Sequence, residues 1–166
     1  MNKATFHVNR FFLGSIGNFS IQESYAIIKS SEELEKHMQD LLAFLKQDTA
    51  IIPYGYWETF EKELREFYSL YDDRFFQQNN LVMAIVDQGS SLVGYEYLGS
   101  ENKNGLLTIN VKRIAPMIQT MDFVTWVLNL ELDKTESFDS VLVNLTDEEH
   151  DFHVGEGYYF HDTMKN

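Results

Sequence analysis

The chain has 166 residues, 44% of them hydrophobic and 14% aromatic, with a formal net charge of −13 and no cysteine. Such a composition describes one globular domain with a core of its own and excludes a disordered chain. The missing cysteines exclude disulfides, thiol catalysis and cysteine-based zinc sites, and the acidity argues against nucleic acid and anionic membranes as partners.

Along the chain, "TFHVNRFF" (5–12) opens with Phe6 and Val8 alternating, and "ESYAIIKS" (23–30) is short, apolar and β-leaning, so each predicts a strand. The opening twenty residues hold no uninterrupted apolar core of signal-peptide length, because Asn9 and Arg10 break it. No run approaches the ~20 apolar residues of a membrane span. As it stands, the sequence is therefore expected in the cytoplasm and not inserted in a membrane. A chain trimmed of a leader would read the same and belong outside the cell.

"SSEELEKHMQDLLAFLKQ" (30–47) carries the clearest helical signal. Ser30 and Glu33 have the spacing of a capping box, acids fill the first turn, and Leu34, Met38, Leu41, Leu42 and Leu45 form one apolar stripe. His37 lies beside that stripe and is read as structural. After a loop with Pro53 and Gly55, "YWETFEKELREFYSLY" (56–71) puts Trp57, Phe60, Leu64, Phe67 and Tyr71 on a second helical face.

From Leu81 onward the period becomes two. "LVMAIVD" (81–87), "LVGYEYLG" (92–99), "LLTINVKRI" (106–114), "DFVTWVLNLELDK" (122–134) and "SVLVNLT" (140–146) read as successive strands. Asn104-Gly105 is the hairpin signal between the second and third of these. The expected fold is α+β: an antiparallel meander of about five strands with two amphipathic helices on one face. Residues 1–146 form the domain, and 147–166 an acidic, histidine-containing tail that docks on it or frays.

Two segments invite a chemical reading. In "YDDRFFQQNN" (71–80) the acids Asp72 and Asp73 resemble an acid/base pair, but adjacent carboxylates rarely converge on one substrate. A helix-capping role for Asp72, with Phe75 and Phe76 plugging the core, is the expectation. In "DEEHDFHVGEGYYFHD" (147–162), His150, His153, His161 and Glu156 are dense enough to hold a divalent metal. No known zinc spacing is present, and a docked acidic segment explains the composition more cheaply. There is no nucleophile elbow, P-loop or dinucleotide fingerprint, so no catalytic residue and no organic cofactor are expected.

The stretch from Tyr71 to Lys134 resembles the C-terminal domain of PrcB-like proteins. Tyr71, Asp72, Phe75, Phe76, Asn79 or Asn80, Leu81 and Val82 match its Tyr-Asp-x-x-Phe-Phe-x-x-Asn-x-Leu-Val signature. Gly89 and Ser90 match its hairpin, Arg113 and Pro116 the end of its next strand, and Trp126 and Lys134 the strand that follows. The similarity runs over residues 71–145, with "IIKSSEELEKHMQDL" like the preceding helix. It implies a bacterial, non-catalytic protein whose family namesake associates with a secreted protease. The sequence as it stands shows no lipobox or leader of the kind common in the family, and it carries the additional tail. The leading expectation is a non-enzymatic protein-binding or structural module with Tyr95, Tyr97, Tyr158 and Tyr159 as contact residues and an edge strand open to a partner. The competing expectations are a metal-binding protein or metal-dependent enzyme using the tail, and an acidic inhibitor or immunity-type protein that blocks a basic site.

Overall fold

A computed structural model describes residues 4–11, 25–47, 57–88, 93–116 and 124–150. Its elements are β1 (Thr5–Phe11), β2 (Tyr25–Ile28), α1 (Ser31–Gln47), α2 (Trp57–Tyr68), α3 (Asp73–Gln78), β3 (Asn79–Gln88), β4 (Gly94–Lys103), β5 (Leu106–Pro116), β6 (Val124–Asp133) and β7 (Ser140–His150). The architecture is α+β and mainly antiparallel, as expected.

Three layers are stacked. A four-stranded sheet of order β1-β6-β3-β2 lies in the middle, and a three-stranded sheet of order β4-β5-β7 lies against one of its faces. The helices cover the other face. Side-chain alternation sorts the two cores. On β3, Leu81 and Met83 join Leu34, Met38, Phe60, Leu64 and Tyr68 of the helices. Val82, Ala84 and Val86 turn the opposite way, toward Ile109, Val111, Val141 and Val143. Strand β6 divides likewise, with Val127 under the helices and Trp126, Leu128, Leu130 and Leu132 between the sheets.

The strands do not lie side by side in chain order. Among the described residues only β4 and β5 form a local hairpin, while β3 pairs with β6 and β2, and β7 runs parallel to β5. Parallel neighbours need a crossover, and here β6, in the other sheet, carries the chain back. The β4–β5 turn is Asn104-Gly105, with φ of 53° and 83°, the left-handed pair that a two-residue hairpin requires. β7 also continues to His150, past the 140–146 expected, staying in register with β5 along its whole length.

Local signals set the helix starts. Ser30 Oγ accepts from the Glu33 N–H at 3.1 Å, and the Glu33 carboxylate accepts from the Lys29 N–H at 2.7 Å, a capping box displaced by one residue. Asp72 caps α3, its carboxylate accepting from the Phe75 N–H at 2.9 Å. Asp73 accepts instead from Ser31 Oγ, tying the start of α3 to the start of α1. Tyr71, Phe75 and Phe76 stack edge to face, with centroids 4.8 and 5.0 Å apart, and Phe76 is buried under the helices.

Candidate functional site

The expected contact tyrosines have diverse positions. Tyr95 is 8% exposed and packs edge-on against Trp126 between the sheets, so it serves the core. Tyr97 is half-buried, stacked on Phe6 with centroids 5.4 Å apart, and its hydroxyl donates to Ser100 Oγ at 2.8 Å. Tyr158, Tyr159, His153, His161 and Glu156 lie outside the described residues, and of His150 only the backbone is described, as the last residue of β7. Among the described residues, no three His, Asp or Glu side chains converge as metal ligands. No helix there is long and apolar enough to cross a membrane.

Sheet edges are the exposed backbone of such a fold, and proteins usually blunt them with short strands, bulges or charge. Edge β2 has four residues and edge β1 seven. Edge β4 is interrupted by a register shift between Tyr97 and Gly99 and ends in the Glu101–Lys103 ion pair. Edge β7 is different: eleven residues with no register shift, bonded among the described residues to β5 alone. Val141 and Val143 anchor it in the core, while Leu142 and Asn144 face outward.

The outer face of the three-stranded sheet is cross-linked along this edge. Asn144 donates to Asn110 Oδ1 at 3.0 Å. Lys112 Nζ lies 2.7 Å from Glu96 and 2.8 Å from Glu148, bracing β4 and β7 through β5. Hydrogen bonds to Glu148 and Glu96 hold the Lys112 ammonium well above its ordinary range. On the opposite, inward-turned face, beyond the core residues, Arg113 Nε donates to Asp147 directly across the ladder at 2.7 Å. Leu98, Leu106 and Leu142 are exposed around this network.

A second polar group lies under the helical side of the middle sheet. His7 Nε2 is 3.0 Å from Glu131 Oε1, joining β1 to β6. Burial raises the Glu131 carboxyl above its ordinary value, and His7 partly offsets that. The Tyr71 hydroxyl is raised in turn, first by burial and then by the Glu131 charge. Asn129, opposite His7 in the ladder, is fully buried. His7, Asn129 and Glu131 do not stand out in the sequence, because they are the polar positions of two strands more than 120 residues apart. An expectation that β1 pairs with β6 would have brought them together, and no local signal provides it.

Among the described residues, the three-layer α/β/β domain thus presents one long, regular, acid-bearing strand edge. No family model, no curated protein and no solved structure matches the chain.

Proposed function

We propose that the chain is a non-enzymatic protein-binding module that takes an extended, basic segment of its partner onto the outer edge of β7. The observation that carries this reading is the contrast among the four edges of the described residues, of which β7 is the longest that runs without a register shift. A strand added there gains main-chain hydrogen bonds along its length, with outward side chains such as Leu142 choosing what lies beside it. The basic character of the partner follows from the net charge of −13. The resemblance to PrcB-like domains, with a protease-associated namesake, points the same way. An acidic inhibitor that occupies a basic cleft is a special case of this contact.

The test is titration of the isotope-labelled protein with a synthetic peptide of alternating lysine and valine. Amide shifts concentrated in residues 140–150, weakening as ionic strength rises, are expected. Leu142→Lys is expected to weaken the interaction while leaving the spectrum of the core unchanged. Shifts centred on β4 or β2, or binding indifferent to salt, refute the assignment.

A further inference from the structure

The polar group under the helical side of the β1–β6 pair takes no part in the edge contact, and two of its atoms are left over. Asn129 is 0% exposed, and its Oδ1 is buried without a hydrogen-bond partner. Its own Nδ2 makes one long contact, 3.4 Å to the Val127 carbonyl. Asn9 Nδ2 is likewise buried without a partner. Stranding either group away from water is costly, so an orphan acceptor and an orphan donor on one strand pair call for an explanation.

The ladder register relates the two. His7 stands opposite Asn129 and Asn9 opposite Val127, and residues directly opposite share a sheet face. His7 therefore reaches Glu131 along a diagonal, and that diagonal closes at 3.0 Å. Asn9 and Asn129 are related by the same diagonal step, one rung along. Where the first diagonal ends in a contact between an imidazole nitrogen and a carboxylate oxygen, the second ends in an unused N–H and an unused carbonyl oxygen.

We propose that Asn9 and Asn129 bind one neutral hydroxyl oxygen between them, supplied by water or by the alcohol of a small polyhydroxylated molecule. A hydroxyl accepts and donates at a single atom, so it meets the Asn9 amide and the Asn129 carbonyl oxygen together. A carboxylate or phosphate only accepts, leaves Asn129 Oδ1 unmet, and places its charge near the Glu131 carboxylate. An ammonium only donates and leaves Asn9 unmet. The His7–Glu131 pair, with 40% and 23% of the two side chains exposed, forms the open end and offers further polar partners. Tyr71, 5% exposed, lies against Glu131 as an uncharged phenol.

The test uses the full chain with isotope-labelled asparagine side chains. Cross-relaxation between water and the amide groups of both Asn9 and Asn129, with the sign of a long-lived water, assigns the oxygen to water. Displacement of that signal, or shifts of both amides on titration with myo-inositol, assigns it to an alcohol. Neither response at either residue overturns the proposal. A mutant cycle gives a second readout that needs no resonance assignment. With a shared oxygen, Asn9→Leu and Asn129→Leu each strand the other group and lower Tm by about 3 °C or more, and the double variant recovers most of the loss. Single variants that each raise Tm, with additive effects, overturn it as well.

Discussion

Truncating Leu130 to alanine tests the three-layer arrangement directly. Leu130 is 1% exposed and points from β6 into the space between the sheets. It borders a small apolar cavity of about 10 Å³ whose walls include Phe6, Val82, Ile109 and Val143. Leucine to alanine removes three carbons, worth about 2.4 kcal/mol at ~0.8 kcal/mol each. Both walls are strands pinned by backbone ladders, so the gap collapses poorly and merges with the existing cavity. A residual hole of roughly 50 Å³ at ~24 cal/mol per Å³ adds about 1 kcal/mol. The expected loss is about 3.5 kcal/mol by urea denaturation, with the slope of the transition unchanged. Leu142→Ala, on the outward face of β7 where the leucine is 38% exposed, should cost less than about 1 kcal/mol. If Leu130→Ala costs under about 1 kcal/mol, or Leu142→Ala costs as much as Leu130→Ala, the two sheets are not packed face to face and the layered reading fails.

Two further outcomes follow from the helical layer. Asp72→Ala removes the cap of α3 and should cost about 1 kcal/mol by the same assay, whereas Asp72→Asn keeps an accepting oxygen and should be near neutral. Thermal melts against pH should detect His37, whose pKa burial lowers beneath the ordinary 6.5 despite a smaller opposing pull from Asp40. The unfolded chain takes up that proton first, so stability is complete above pH 6.5 and declines as pH falls from there to the folded pKa, by at most ~1.4 kcal/mol per pH unit. His37→Leu should flatten that segment of the profile. Glu131 acts with the opposite sign, since burial raises it above its ordinary 4.5 and acidification through its folded pKa relieves the cost of its charge.

Local chemistry made most elements readable. Asn104-Gly105 announces its hairpin because few other residue pairs tolerate two consecutive positive φ angles, and Ser30 and Asp72 announce helix starts because their side chains take up N–H groups that the helix cannot. The nearly continuous apolar run of β3 also carries its address, since a strand greasy on both faces must lie in a middle layer. Pairing partners are another matter. Thr5 meets Glu131 and Leu106 meets Ser140 through contacts that no periodicity encodes. The strands were therefore legible and the meander drawn through them was not their order. Tyr95 illustrates the same limit: alternation along β4 sets it on one face with Val93 and Tyr97, and only the packing of the second sheet closes that face. The His7–Glu131 group escaped for the same reason.

The β1–β6 pairing has a consequence for the order in which the molecule assembles during synthesis. Thr5 leaves the ribosome well before its ladder partner Glu131, which is 126 residues further along. At about 5–20 residues per second, β1 waits for several seconds or more with both backbone edges open. Strand β3 waits too, since its long neighbour is also β6. Closing such distant contacts carries the loop entropy that slows mainly-β domains, so folding on the scale of milliseconds to seconds is the expectation. The nascent chain thus passes through a stage in which its helices are already made and its central strand is not. During that interval Leu81–Val86 is a ready target for chaperones, and for other copies of itself.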